Sequence, residues 1–341
     1  MRSLKADDAA VRFAAEILSK GGLVAFPTET VYGLGGDALN PSALARIFEA
    51  KGRPRFDPLI IHIAGLETLE EIADLGPLDS RARLRLETLT AHLWPGPLTL
   101  VLPKQTRISG LATGGLPTVA IRFPAHPVAQ ALIRLSSGAV AAPSANRFGC
   151  LSPTRAEHVL EQLDGKIDLI LDGGRSPVGV ESTVLDLSSD PPRLLRPGGV
   201  SRERLEALIG PVCAGDGSSP RSPGQLTSHY APRAPLSLYA GKALAALDDN
   251  PREGFLFFCS STCNAWLEGL RARGGNLPAL PVPRIRTLSS RGDPCEAAAN
   301  LFDTLYALDG LGLTHIRAEA APEESLGPAI NDRLFRAQGA L

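Results

Sequence analysis

Short apolar runs of strand length recur through about the first 200 residues, and segments with helical periodicity separate them. The runs predict β-strands over 23–26, 59–63, 98–102, 118–123, 139–142, 168–171 and 183–187. Apolar positions at helical spacing predict helices over 7–19, 41–51, 79–93, 126–135 and 154–163. Strands and helices mixed in this way predict an α/β domain. Because their order is not strictly alternating, we expect a twisted mixed sheet rather than a purely parallel one.

A stretch rich in glycine, serine and proline interrupts this pattern between residues 210 and 235, as is typical of a linker. Beyond it, the pattern predicts strands over 236–239, 254–258 and 313–318, and helices over 264–272, 294–308 and 328–338. This order of strands and helices is typical of a smaller, Rossmann-like α/β domain. We therefore expect a first domain over 7–209, a linker that acts as a lid over 210–235, and a second domain over 236–341.

Composition and charge exclude several classes of protein. Apolar residues make up 44% of the chain and charged residues 21%, as in globular proteins. A formal net charge of -1 argues against binding nucleic acid through overall charge, so tRNA affinity is expected to be weak at most. No apolar run approaches the roughly 20 residues that span a bilayer, and the acidic N-terminus is not a signal peptide, so we expect a cytoplasmic protein. The five cysteines match no zinc or redox spacing and are expected to be reduced thiols.

The segment 26–36 combines a strand end with hydroxyls, a carboxylate and glycines: F-P-T-E-T-V-Y-G-L-G-G. One interpretation is a tight turn from strand to loop that needs glycine dihedrals. The other is a ligand-binding loop. The chain contains neither a Walker loop nor a G-x-G-x-x-G motif, so any nucleotide must be bound in another way.

Three cations fall within five residues in the segment K-G-R-P-R, at the end of the helix predicted over 41–51. One interpretation is a solvated cap, because cations are favourable at helix C-termini. The alternative is a polyphosphate site, since Pro54 and Pro58 stiffen a stretch that a cap would leave mobile. His62 follows on a predicted strand, where a single histidine is more often structural.

Other predicted strands also end in glycine, proline and polar groups. These exits are 142–147 (A-P-S-A-N-R), 173–174 (G-G), 181–183 (E-S-T) and 195–199 (L-R-P-G-G). In α/β proteins ligands bind at such strand ends. We expect these exits to converge on one sheet edge and to bind a triphosphate there.

The ordered set of motifs closely resembles the Sua5/YrdC/YciO family. It comprises F-P-T-E-T-V-Y-G-L-G, K-G-R-P, P-L-I-I-H-I, W-P-G-P-L-T-L, V-A-I-R-F-P, A-P-S-A-N, E-S-T-V and L-L-R-P-G, between about residues 10 and 208. The segments S-H-Y-A-P from Ser228 and A-I-N-D-R-L from Ala329 resemble the longer Sua5 branch, which has a second domain. The resemblance therefore covers nearly the whole chain and implies a YrdC-like first domain.

The resemblance implies the synthesis of L-threonylcarbamoyladenylate, an adenylyl transfer. L-Threonine and bicarbonate would give N-carboxythreonine, whose carboxylate attacks the α-phosphate of ATP and releases pyrophosphate. A separate tRNA threonylcarbamoyl transferase would then modify adenosine at position 37 of tRNA. Mg²⁺ is expected to enter with ATP, and no residue is an obvious general base.

The resemblance also implies roles for individual residues. Lys51 and Arg53 would be catalytic. The ATP site would contain Lys51, Arg53, Asp57, Thr118, Ser144, Asn146, Ser152, Arg196, His229 and Tyr230. The threonine site would contain Thr30, His62, Arg122, Ala142 and Ser182, with Arg122 pairing with the carboxylate. His229 and Tyr230 would cover the nucleotide.

Three questions stay open at this stage. Many relatives carry Asn where Asp57 stands, so this carboxylate either helps to bind metal or turns away from the phosphates. A carbamoyl-adenylate-forming enzyme is an alternative within the same family, although its accompanying domains are not visible in the sequence. An RNA-binding module is the other alternative, which the net charge and the absence of interleaved aromatic and basic residues disfavour.

Overall fold

The computed structural model describes residues 2–215, 230–274 and 282–339, which separate into two compact units. The first unit contains the described residues up to Phe148 and from Ser152 to Gly215. The second contains Gly149–Leu151 and the described residues from Tyr230 onward. The middle of the predicted linker, including His229, lies outside the described residues.

The first unit is built on one mixed sheet, which confirms the predicted fold class. Its strands are β1 (Arg2–Lys5), β2 (Val24–Phe26), β3 (Gly33–Asp37), β4 (Ile60–Ile63), β5 (Leu98–Pro103), β6 (Thr118–Arg122), β7 (Ala139–Ala141), β8 (Leu169–Asp172), β9 (Thr183–Asp186), β10 (Arg193–Arg196) and β11 (Cys213–Ala214). They lie in the order β1-β8-β2-β3-β7-β4-β6-β5-β9-β10-β11. The sheet contains both parallel pairs, such as β4–β6, and antiparallel pairs, such as β5–β6.

Helices cover this sheet and exclude water from its apolar side chains. They are α1 (Asp8–Ser19), α2 (Pro41–Lys51), α3 (Leu69–Ile72), α4 (Ser80–Leu93), α5 (Gly110–Thr113), α6 (Pro127–Leu135), α7 (Ala156–Leu163) and α8 (Arg202–Ile209). The larger core cluster includes Leu44, Ile61 and Leu100, and the second includes Leu18, Val140 and Leu169. The inner strands such as β4, β5 and β7 are therefore buried on both faces, as their continuous apolar sequences predicted, whereas the edge strands β1 and β11 are largely exposed.

The ends of α2 fix the position of the basic segment that follows it. Asn40 accepts hydrogen bonds from the Ser42 and Ala43 amides, and Pro41 occupies the first turn. Gly52 ends the helix with φ 64°, a left-handed conformation that glycine adopts without strain. The chain leaves the helix sharply here, with Lys51 in its last turn and Arg53 just beyond it.

The glycines of 33–36 do not form the predicted tight turn; they belong to strand β3. None of them has positive φ. Instead, a Cβ at Gly35 would lie 2.8 Å from Phe26 Cε1, and one at Gly36 would lie 3.1 Å from Ile47 Cδ1. The interpretation that these positions need glycine for its backbone dihedral angles was therefore wrong. Glycine is needed here because neighbouring side chains pack too closely to leave room for a Cβ.

The second unit contains an all-parallel sheet with the order β12-β15-β13-β14. Its strands are β12 (Leu236–Tyr239), β13 (Glu253–Cys259), β14 (Ile285–Ser289) and β15 (His315–Glu319), and its α-helices are α9 (Ser260–Ala272), α10 (Pro294–Asp309) and α11 (Gly327–Ala337). Phe255 and Phe257 pack on Trp266, with the Phe255 and Trp266 ring centroids 4.7 Å apart. Nowhere in the described ranges is a helix both long and apolar enough to cross a bilayer.

Candidate active site

Lys51 and Arg53 are buried rather than solvated. Lys51 Nζ donates hydrogen bonds to the carbonyl oxygens of Ser144 and Asn146, each at 2.5 Å. Arg53 donates to the carbonyl oxygens of Asp57 and Pro58 at 3.2 and 2.8 Å. The interpretation of this segment as a solvated helix cap was therefore wrong. Buried cations of this kind are suited to bind an anion.

Asp57 faces these cations directly. Its Oδ2 lies 2.9 Å from Arg53 Nη2, and the side chains are 0% and 2% exposed, respectively. Burial raises the pKa of Asp57, whereas Arg53, Lys51 and Arg196 lower it. Of the two expected roles, the outward orientation was wrong, because the carboxylate pairs with Arg53, and the role in metal binding stays a prediction.

Arg196, at the end of β10, joins this cation group to a second group of polar side chains. Its Nη2 donates to the carbonyl oxygen of Ser182 at 2.9 Å and to Ser182 Oγ at 3.2 Å. The Ser182 hydroxyl is in turn 2.7 Å from Thr99 Oγ1. Arg196 thus contacts a predicted threonine-site residue and is also electrostatically coupled to Asp57.

The second group centres on Arg122, the last residue of β6. Its Nη1 donates to Thr30 Oγ1 at 2.8 Å and its Nε donates to the Gly96 carbonyl oxygen at 3.3 Å. Its Nη2 lies 2.6 Å from Glu29 Oε1 in a buried ion pair. The structure therefore brings Thr30 and Arg122 together across 92 residues of sequence.

His62 pairs with Arg122 across the β4–β6 ladder. Burial lowers the pKa of His62 to about 3, and the nearby positive charge of Arg122 contributes. The ring is therefore neutral at pH 7. Its Nδ1 is buried and has no aligned hydrogen-bond partner among the described residues.

The cross-strand registers place these side chains on one face of the sheet. Arg122 lies opposite His62 on one side and opposite Thr99 on the other. Thr118 and Arg122 also share this face, because side chains alternate with a period of two along β6. His62, Arg122 and Thr99 lie at adjoining strand ends, as expected for residues that converge on one sheet edge, whereas Thr118 lies at the opposite end of β6. The strands are so short that the site extends along a face of the sheet and onto the adjoining loops.

The structure places the remaining predicted residues of the first unit as follows. Ser144 and Asn146 follow β7 and supply the carbonyl oxygens that Lys51 binds. Ser152 Oγ donates to Glu181 Oε1 at 2.5 Å. The Ala142 amide donates to the Ile60 carbonyl oxygen at 2.9 Å. Thr118 begins β6 and is half-buried.

Tyr230 belongs to the second unit, where its ring centroid lies 5.8 Å from that of Phe302. The Arg333 guanidinium carbon lies 5.1 Å from the centre of the Tyr230 ring, within the range of a cation–π contact. Because His229 is outside the described residues, the lid over the nucleotide stays a prediction.

Three side chains that contact the predicted set were not assigned a role from the sequence. They are Glu29, which pairs with Arg122, Thr99, which contacts Ser182, and Glu181, which accepts from Ser152. All three stand within quoted motifs: Glu29 in F-P-T-E-T-V-Y-G-L-G, Thr99 in W-P-G-P-L-T-L and Glu181 in E-S-T-V. That position was the signal that could have identified them.

Fold and site together define a two-unit α/β protein with buried cations suited to a phosphorylated ligand and no Walker loop. A family model described as "Telomere recombination" (Sua5_yciO_yrdC) matches residues 16–198. A second, described as "Threonylcarbamoyl-AMP synthase, C-terminal domain" (Sua5_C), matches residues 200–339.

Named relatives match over nearly the whole chain. The chain is 42% identical to the threonylcarbamoyl-AMP synthase of Bacillus subtilis, over 98% of this chain and 95% of the relative. It is 44% identical to that of Pyrococcus abyssi, over 96% and 94%. A crystal structure of P. abyssi Sua5 complexed with L-threonine superposes with a TM-score of 0.82 at 39% identity, covering 99% of this chain and 96% of that one. The chain belongs to the Sua5/YrdC/YciO family, in its two-domain Sua5 form.

Proposed function

We propose that this protein forms threonylcarbamoyl-AMP and pyrophosphate from L-threonine, bicarbonate and ATP. The general activity, a threonylcarbamoyl-AMP synthase that transfers an adenylyl group, follows from the family and from relatives that match along the full length. Threonine and ATP are the substrates this activity implies. Bicarbonate as the carbon source, and delivery of the product to a tRNA threonylcarbamoyl transferase for position 37 of tRNA, are the further parts of the proposal.

One observation supports the proposal most directly: a buried cation group adjoins a buried group suited to an amino acid. Lys51, Arg53 and Arg196 are all coupled to Asp57, and Arg196 also binds Ser182. A phosphate chain beside the first group would place its α-phosphate toward the second. Adenylyl transfer needs such positioning and charge neutralisation more than covalent catalysis.

The proposed steps use this chain's residues for binding and orientation. Arg122 and Thr30 would hold the amino acid so that the carbamate carboxylate faces the α-phosphate. Lys51, Arg53 and Arg196 would neutralise the charge that accumulates on the phosphate oxygens as pyrophosphate leaves. The carbamate is already an anion at neutral pH, so this step requires no general base.

Mg²⁺ is proposed to enter with ATP, where it would neutralise phosphate charge. No cluster of three or more metal-binding side chains occurs in the described part of the chain. Asp57 is a buried carboxylate paired with Arg53, and neither of its oxygens receives an aligned hydrogen bond from the described residues. This set fits an ion held mainly by the phosphates, with Asp57 as its protein ligand.

The test is pyrophosphate release that depends on both threonine and bicarbonate. Lys51→Ala and Ser144→Ala should reduce it, with the larger effect at Lys51, because the Ser144 contact uses the backbone oxygen that alanine retains. Pyrophosphate release from ATP with carbamoyl phosphate, but not with threonine and bicarbonate, would instead identify a carbamoyl-adenylate-forming enzyme.

A further inference from the structure

Glu29 is a buried carboxylate with no assigned role. It lies in the loop between β2 and β3 and is 7% exposed. Its Oε1 is 2.6 Å from Arg122 Nη2, but neither carboxylate oxygen receives an aligned hydrogen bond from the described residues. Arg122 Nη2 likewise makes no aligned hydrogen bond. The two groups touch while both retain unused bonding capacity.

The backbone around Glu29 is fixed. Thr28 Oγ1 donates to the Val31 carbonyl oxygen at 2.6 Å and accepts from the Thr30 and Val31 amides. The Glu29 carbonyl oxygen accepts from the Val178 amide at 2.8 Å. The carboxylate is therefore supported beside Arg122 by a loop bonded to itself and to a neighbouring segment.

A purely structural ion pair explains this arrangement poorly. Removing two charges from water costs several kcal/mol per ion, which pairing offsets only when the remaining lone pairs and protons are also hydrogen-bonded. Here the carboxylate oxygens and Nη2 are left without such bonds. A ligand that carries both a negative and a positive group would supply them.

We infer that Glu29 binds the α-ammonium group of threonine while Arg122 binds its α-carboxylate. The inference rests on the proposed function. It makes Glu29 a residue that determines specificity for an amino acid. The two charges of an amino acid are attached to the same carbon, so they require an anion and a cation as close together as Glu29 and Arg122 are. With the ligand bound, the four charges alternate and sum to zero, and each charge gains a partner that offsets the cost of burying it.

The other side chains of this group cannot take the ammonium with a full charge. His62 is neutral because its pKa is lowered to about 3, and Thr30 and Ser182 carry hydroxyls. In the described part of the chain, Glu29 is the one carboxylate in an ion pair with Arg122. Discrimination between an amino acid and the acid lacking its amine is therefore assigned to Glu29.

The experiment compares calorimetric binding of L-threonine and of (R)-3-hydroxybutyrate, which is threonine without its amine. The full-length protein should prefer threonine by about tenfold to a hundredfold, as expected for a hydrogen bond to a charged group. Glu29→Gln should remove most of this preference and leave ATP binding unchanged. Glu319→Gln, a matched change at a buried carboxylate of the second unit, should retain it.

The outcomes distinguish failure of the proposed function from failure of the role assigned to Glu29. If the unaltered protein binds no threonine, the proposed function fails. If it binds threonine and Glu29→Gln keeps the full preference, the assignment to Glu29 fails while the function stands. Should Glu29→Gln not fold, the unaltered protein still decides, because equal affinity for the two acids would overturn the inference.

Discussion

Arg53 and Asp57 form a buried ion pair in which Nη2 and Oδ2 are 2.9 Å apart. The pair lies in the segment that the sequence suggested for phosphate binding. Asp57 is also electrostatically coupled to Lys51 and Arg196. The carboxylate therefore partly neutralises, in the unliganded protein, the cations proposed to bind ATP, and a phosphate chain must compete with it for Arg53.

Asp57→Asn should strengthen the binding of ATP measured without Mg²⁺. At an effective dielectric constant near 20, removing the repulsion of one negative charge several ångströms from the phosphates makes the free energy of binding more favourable by about 1–2 kcal/mol, or about fivefold to thirtyfold in Kd. Calorimetry with ATP in EDTA measures this effect. Asp168→Asn, at a half-exposed ion pair with Arg46, is the control and should leave Kd unchanged.

The same variant separates the two contributions of Asp57. If Asp57 also holds Mg²⁺, the gain in affinity should disappear or reverse when Mg²⁺ is added, because a metal ligand has been removed. Weaker binding of ATP by Asp57→Asn without Mg²⁺ would contradict the competition described above.

Lys51→Ala should lower kcat/KM for pyrophosphate formation by about a hundredfold to a thousandfold, which corresponds to about 2.7–4 kcal/mol. The side chain contributes a charge, and its two 2.5 Å hydrogen bonds also hold the loop that carries Ser144 and Asn146. Lys104→Ala removes a lysine whose Nζ binds the Ile108 carbonyl oxygen at 3.1 Å, and it serves as the control. A decrease at Lys51 no larger than at Lys104 would show that Lys51 takes no part in the reaction.

Most helices and strands could be predicted from periodicity, and the misses have physical causes. Strand β3 reads G-L-G-G-D, a composition typical of turns, and its strand conformation depends on pairing with β2 and β7. Helix α9 begins at Ser260 rather than at the predicted 264, because Thr262 Oγ1 accepts from the Cys259 amide at 3.4 Å. Both depend on contacts that a hydrophobic pattern does not encode.

From the sequence, the candidate site could be named as a set of residues but not described as a geometry. The motifs identified Arg122 and Thr30, yet only folding shows that the two bond to each other across 92 positions. The same holds for Glu29, which looked like one polar residue of a loop until the sheet placed it against Arg122. For Asp57, the sequence allowed metal binding or an outward orientation and missed its pairing with Arg53, which depends on burial.

Thr30→Val should raise KM for threonine by about tenfold or more and leave the affinity for ATP unchanged. Valine keeps the shape of the side chain but removes the acceptor for Arg122 Nη1, and hydrogen bonds to charged groups contribute about 1.5–3 kcal/mol. Steady-state kinetics with each substrate varied in turn measures the two effects. Thr90→Val is a matched control, since the Thr90 hydroxyl is buried and bonds only within α4. An equal rise in KM for threonine and for ATP would instead point to a general loss of structure.

His62 should make the stability of the protein depend on pH below about 6.5. Its folded-state pKa of about 3 lies below the unfolded value of 6.5. Between these two values the imidazole is protonated in the unfolded chain but neutral in the folded chain. The contribution of neutral His62 is therefore complete above pH 6.5. It declines by up to about 1.4 kcal/mol per pH unit as the pH falls toward 3.

Urea unfolding at pH 7.5, 6.5 and 5.5 measures this dependence when the unaltered protein is compared with His62→Gln. Glutamine does not titrate, so the free energy of unfolding of the unaltered protein should decrease more steeply between pH 6.5 and 5.5, by about 1 kcal/mol. His92→Gln, at an exposed position of α4, should leave the slope as it is in the unaltered protein. Parallel curves for the unaltered protein and His62→Gln would mean that His62 accepts a proton in the folded state, and hence that Arg122 and burial do not keep it neutral.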